Sequence, residues 1–167
     1  HKDEFGARHV LATYGLRKTP KPKQPLTEED AQLLLDNLRQ NVTGLADEHP
    51  ETTFYLFFPP YSICYWDLLN NNGEMERHFK AEQLAIEELL PHSNIRLYAF
   101  SDDFELVCDL DHYKDYMHYG EWVNSRLLEQ MKNGEHLLTE ENYQEYLEEI
   151  RNFYGSYDYA SLHNETP

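Results

Sequence analysis

Phe54-Tyr55-Leu56-Phe57-Phe58-Pro59-Pro60 is the stretch that decides the fold. Together with Thr53 it makes a short, continuously apolar and aromatic run that ends on two prolines. That pattern predicts a strand over 53–58 buried on both faces, as in a parallel sheet. Ile95-Arg96-Leu97-Tyr98-Ala99-Phe100 repeats the theme and runs straight into the polar Ser101-Asp102-Asp103. Between the two runs, Met75, Phe79, Ile86, Leu89 and Leu90 recur at helical spacing, so 75–90 reads as a helix closed by Pro91 and Asn94. Strands joined through a helix pair in parallel by a crossover. The fold class is therefore α/β with a parallel sheet.

Working outward, Leu26 to Pro50 opens with Thr27 as a helix cap, followed by Glu28, Glu29 and Asp30 in the first turn, where carboxylates favour the positive end of the helix dipole. Ala31, Leu34, Leu35, Leu38, Val42 and Leu45 continue one apolar stripe that must stop before Pro50. Further helices are expected over 119–132, through Trp122, Val123, Leu127 and Met131, and over 139–154, with Thr139 as cap and Leu138 and Tyr143 as staple. Lys18 to Pro25 carries three prolines and reads as an extended linker. We divide the chain into a basic arm and linker (1–25), an α/β domain (26–155) and a tail (156–167). Two strands leave both sheet edges open. The missing strands are expected from residues 5–15, from a second copy, or from an upstream half; the chain opens on His1-Lys2-Asp3 without a methionine, which suggests a piece of something longer.

Charge narrows the function classes. Fourteen Lys and Arg stand against 31 Asp and Glu, a net of −17. Residues 1–25 carry +4 of this (six basic, two acidic), so the rest carries −21. Like charge repels nucleic-acid phosphates and anionic membrane surfaces, so neither is expected as the main partner. There is no apolar run of about 18 residues, hence no spanning helix is expected from this segment. Cys64 and Cys108 lie in apolar surroundings outside any zinc spacing and read as buried thiols, with a disulfide between them left open. Asn41-Val42-Thr43 and Asn164-Glu165-Thr166 match the glycosylation pattern and are taken as chance.

Chemistry concentrates beyond the carboxyl ends of the two strands, where open parallel sheets bind ligands. After the first strand come Tyr61, Ser62 and Trp66; the two aromatics are candidate substrate-facing rings and the serine lies near the expected mouth. After the second come Ser101 and then Asp109, Asp111, His112, Asp115 and His118. Asp115 and His118 form a D-x-x-H. Three residues apart in a turn, a carboxylate can hold an imidazole by one nitrogen and leave the other to take a proton from a nucleophile. The competing reading makes Asp115 a helix cap. A metal reading of Asp109, Asp111 and His112 lacks the spacing of a calcium loop, and neither a metal nor a cofactor is expected.

The order of elements, with Phe58-Pro59-Pro60 closing one strand and Asp115-His118 shortly before the last helices, resembles the C-terminal half of the SGNH/GDSL hydrolase family. It looks more closely like uncharacterised envelope-associated SGNH-like proteins of Gram-positive bacteria, distant relatives of proteins that D-alanylate teichoic acids and acetylate exopolysaccharides. The resemblance spans about residues 30–155. It implies a three-layer, flavodoxin-like domain, of which this is the C-terminal portion. It also implies Asp115 as orienting acid, His118 as general base, and an ester or glycan substrate at the cell envelope, reached through an upstream anchor. Tyr113, Tyr116 and Tyr119 would wall that site. The family's Gly-Asp-Ser nucleophile block and Gly-x-Asn-Asp block do not occur in this sequence. Without nucleophile or oxyanion donors, acyl transfer loses its covalent step and its largest electrostatic contribution, so the chain alone is expected to be inactive. The alternative is a non-catalytic acidic module whose 13 tyrosines bind a basic protein or a glycan.

Overall fold

A computed structural model of the chain describes residues 4–15 and 19–163. Strands β1 (Phe54–Phe58) and β2 (Ile95–Ala99) pair in parallel, with Phe54 opposite Ile95 and Phe58 opposite Ala99. The crossover between them contains α4 (Ile63–Asn72) and α5 (Met75–Leu89). The other edge of β2 is covered by residues 136–138, running antiparallel: the Ala99 amide donates to the His136 carbonyl at 3.0 Å and the Leu138 amide to the Leu97 carbonyl at 2.8 Å. The architecture is mixed α/β, mostly helical, around a two-stranded parallel sheet.

The long amphipathic segment after Thr27 forms α2 (Glu28–Leu38), one π-helical turn over Arg39–Thr43, and α3 (Gly44–Glu48), ending before Pro50 as the sequence requires. The Thr27 hydroxyl accepts the Asp30 amide at 3.1 Å. The helices expected near 119–132 and 139–154 are α7 (Glu121–Asn133) and α8 (Tyr143–Ser156), with α6 (Phe104–Cys108) before them. Helix α8 starts at Tyr143 rather than Thr139, because the Asn142 side chain accepts the Thr139 amide and donates to the Leu137 carbonyl, fixing 139–142 as a turn.

Three expectations are corrected. Residues 5–15 supply no strand. Ala7–Thr13 is a helix, α1, that places Val10 in the core with no exposed surface. The described residues of the arm are therefore part of the globule. The following prolines also dock, with Lys21 and Gln24 amides donating to the Asn71 and Gly73 carbonyls at the end of α4. Gly73 there has φ 71°, and a Cβ would fall on the Pro22 carbonyl, so glycine is required. The tail packs back as well, with Leu162 buried. Finally, β1 is buried on one face only. Phe54, Leu56 and Phe58 pack on the main core under α1, α4, α5 and α8. On the opposite face α7 covers β2 through Tyr98, Phe100, Val123 and Leu127, but Tyr55 and Phe57 stay 60% and 41% exposed. The Asn164 glycosylation pattern lies outside the described residues.

Candidate functional site

Two loops build the site. The first leaves β1 through Pro59, Pro60 and Tyr61 and enters α4 at Ile63. The second follows α6, makes a 3-10 turn over Leu110–His112, and folds residues 113–119 into a tight hairpin: the Lys114 amide donates to the His118 carbonyl at 2.8 Å and the Gly120 amide to the His112 carbonyl at 2.9 Å. Two hydroxyls tie the loops together. Buried Tyr113 donates to the Pro60 carbonyl at 2.7 Å, and buried Ser62 donates to the Tyr116 carbonyl at 2.8 Å.

Asp115 occupies the tip of this hairpin. Its Oδ1 accepts the amides of Met117 and His118, each at 2.8 Å. The carboxylate also holds the His118 ring, with Nδ1 at 2.9 Å from Oδ1 and 2.8 Å from Oδ2. Partial burial alone would raise the Asp115 carboxyl, but the two amides and the imidazole outweigh it and keep its pKa below the usual value. An ionised Asp115 fixes the proton on Nδ1 and leaves Nε2 as the base nitrogen. The ring is 74% exposed and faces an open pocket with Pro59, Tyr61, Tyr119 and Asn124. Asp115 caps its own turn rather than α7, whose cap position is Gly120.

The structure brings Asp115, His118 and Tyr61 together at the carboxyl end of β1. It does not bring Ser62 or Trp66 with them. Ser62 has no exposed surface and its proton is committed to Tyr116, so it holds the D-x-x-H hairpin in place. Trp66 also has no exposed surface; it stacks on Tyr154 at 3.8 Å between ring centroids and belongs to the core. Ser101 is buried too. Among the described residues the pocket at His118 has no serine, threonine or cysteine in its walls. Cys64 and Cys108 are free thiols, both pushed up by burial, Cys64 to about 12. Among the described residues no three His, Cys, Asp or Glu side chains are grouped to hold a metal ion, and no helix is long and apolar enough to cross a membrane. Both His112 nitrogens face protein groups: Nδ1 accepts the Trp122 indole N–H at 2.9 Å, and Nε2 lies 3.4 Å from Asp109.

Two polar groups escaped the sequence reading. His136 pairs with Asp102 at 2.8 Å, and that hydrogen bond raises the imidazole pKa against an opposing desolvation. Nothing local signals a pair 34 residues apart. Glu82 is buried and accepts a hydrogen bond from Tyr146. Its signal was present, since position 82 continues the stripe of Met75, Phe79, Ile86 and Leu89.

Compared with known proteins, the chain matches no family model, no curated protein and no solved structure.

Proposed function

We propose that this chain is the C-terminal part of an SGNH-like serine esterase or O-acyltransferase, acting on ester or glycan substrates at a cell envelope, and that it contributes the acid–base pair. One observation carries the reading: Asp115 grips Nδ1 of His118 with both oxygens while the ring faces an open pocket at the carboxyl end of β1. In this reading Nε2 takes the proton of a serine as its Oγ attacks an acyl carbonyl. It returns that proton to the leaving alkoxide as the tetrahedral intermediate collapses. Asp115 stays ionised and stabilises the imidazolium between the two transfers. Tyr61 and Tyr119 line the approach. The serine and the oxyanion donors come from upstream residues, or from a partner that covers the exposed ring. Such a cover excludes water and strengthens the Asp–His attraction. An envelope location follows in the same reading from an upstream anchor.

Hydrolysis of p-nitrophenyl acetate tests this. The chain alone is expected to give the buffer rate. The protein extended by the residues encoded upstream is expected to turn over, and His118→Ala to reduce kcat/KM by at least about a thousandfold. Turnover indifferent to His118→Ala, or no turnover in the extended protein, removes the proposal.

A further inference from the structure

A cavity of ≈190 Å³ opens between α2, α5 and the loop after β1, sharing Pro59 and Tyr61 with the His118 pocket. Leu34, Phe58, Ala81 and Ala85 give it apolar walls. Its polar end is Glu82, whose side chain is only 4% exposed. Tyr146 satisfies Oε1. The nearest basic nitrogen to Oε2 among the described residues is the His78 Nε2 at 3.7 Å, too far for a hydrogen bond. The titratable groups around Glu82 are His78 on its own helix, Tyr65 on α4, Asp102 after β2, and Tyr146 and Tyr154 on α8. No Lys or Arg lines the cavity among the described residues. His78 does not substitute for one, because burial pushes it down to about 4 and keeps it neutral. A buried carboxyl with one oxygen turned to an apolar slot, Asp102 as a negative neighbour and no countercharge favours a cation beside it.

We propose that this cavity binds a small organic cation, a primary ammonium on a short apolar stem. The ammonium meets Glu82 Oε2 and the stem lies along Leu34, Phe58 and Ala85. The volume equals that of about six waters, which suits a four-carbon stem. Phe58 and Tyr61 bring aromatic rings to the cavity wall, a surface compatible with a cation. Burial raises the Glu82 carboxyl to about 7, offset in part by the Tyr146 hydrogen bond. Entry of the ammonium supplies the absent countercharge and releases that proton. Affinity therefore rises with pH through this range. The inference does not depend on the Asp115–His118 reading.

The test is calorimetric and NMR titration of the whole chain with n-butylammonium, and with butan-1-ol as the neutral probe. Saturable n-butylammonium binding is expected, several-fold tighter at pH 8 than at pH 6. Glu82→Gln is expected to weaken it at least tenfold, and Ala81→Leu, which narrows the slot without touching Glu82, to weaken it as well. His118→Ala is expected to leave it unchanged. Equal binding of the alcohol and the ammonium, or ammonium binding that ignores pH in the wild-type chain, shows an apolar slot only and overturns the proposal. Absence of saturable binding does the same, and the wild-type pH series decides the matter even if Glu82→Gln fails to fold.

Discussion

Glu82 and His78 lie four residues apart on α5, and burial drives them in opposite senses, Glu82 up to about 7 and His78 down to about 4. His78 is thus neutral at neutral pH while Glu82 is about half protonated, and each makes stability depend on pH in its own window. For Glu82 the folded value exceeds the unfolded one, near 4.5. Its favourable state is fully present below pH 4.5 and lost as pH rises through about 7. His78 loses its contribution as pH falls from about 6.5 towards 4. Glu82→Gln keeps an acceptor for Tyr146 and removes the ionisation. Urea unfolding is expected to show the variant gaining on wild type from near zero at pH 4.5 to about 3 kcal/mol at pH 8.5. A difference that does not change with pH would show that Glu82 ionises freely in the folded protein. The sequence carried a signal for this residue, a charge on an apolar stripe, but the stripe was read without it. Asp115 and His118 were visible because three residues of separation in a turn suffice to join them. The roles of Ser62 and Trp66 were not, since the Tyr116 carbonyl and the Tyr154 ring lie far along the chain.

Helices with one apolar face were legible and the helix apolar all round was not. The stripe over 75–90 gives α5 almost residue for residue. Helix α4 reads Ile63-Cys64-Tyr65-Trp66-Asp67-Leu68-Leu69 and buries Ile63, Cys64, Trp66, Asp67 and Leu69, so no polar face marks its period. Helix α1 has only seven residues, too few to reveal a period. The segment 136–138 carries no strand signal at all; it sits on β2 because His136 adopts φ 58° and is held by Asp102. Its imidazole pKa is raised chiefly by that hydrogen bond. The stabilisation is therefore complete below the ordinary histidine value, about 6.5, and lost as pH rises through the raised one. His136→Gln is expected to lower stability by roughly 1–2 kcal/mol at pH 5.5 and by progressively less above pH 7. Chemical denaturation across that range measures it. A loss that is constant with pH would mean the pair contributes through packing rather than charge.

At the scale of the whole molecule, the sheet is guarded on one side and open on the other. Residues 136–138 cover the outer edge of β2, while no strand covers the outer edge of β1 among the described residues. In a parallel ladder alternate residues point their peptide groups to opposite edges. The Phe54 amide and Phe58 carbonyl bond toward β2, through Asn94 and Phe100. Tyr55 and Phe57 therefore present their amides and carbonyls outward, beside side chains that are themselves exposed. Natural sheets seldom leave such an aromatic edge uncovered. The proposed function supplies the cover: an upstream half adds its strand here, or a second copy does. Hydrogen exchange distinguishes these outcomes. In dilute chain alone, the Tyr55 and Phe57 amides are expected to exchange at least about a hundredfold faster than those of Leu56 and Phe58. In the protein extended upstream they are expected to slow to match their neighbours. Protection that instead grows with the concentration of the chain alone assigns the edge to self-pairing. Rapid exchange in every preparation would show that β1 ends the sheet, and the upstream half would then have no strand to add beside His118.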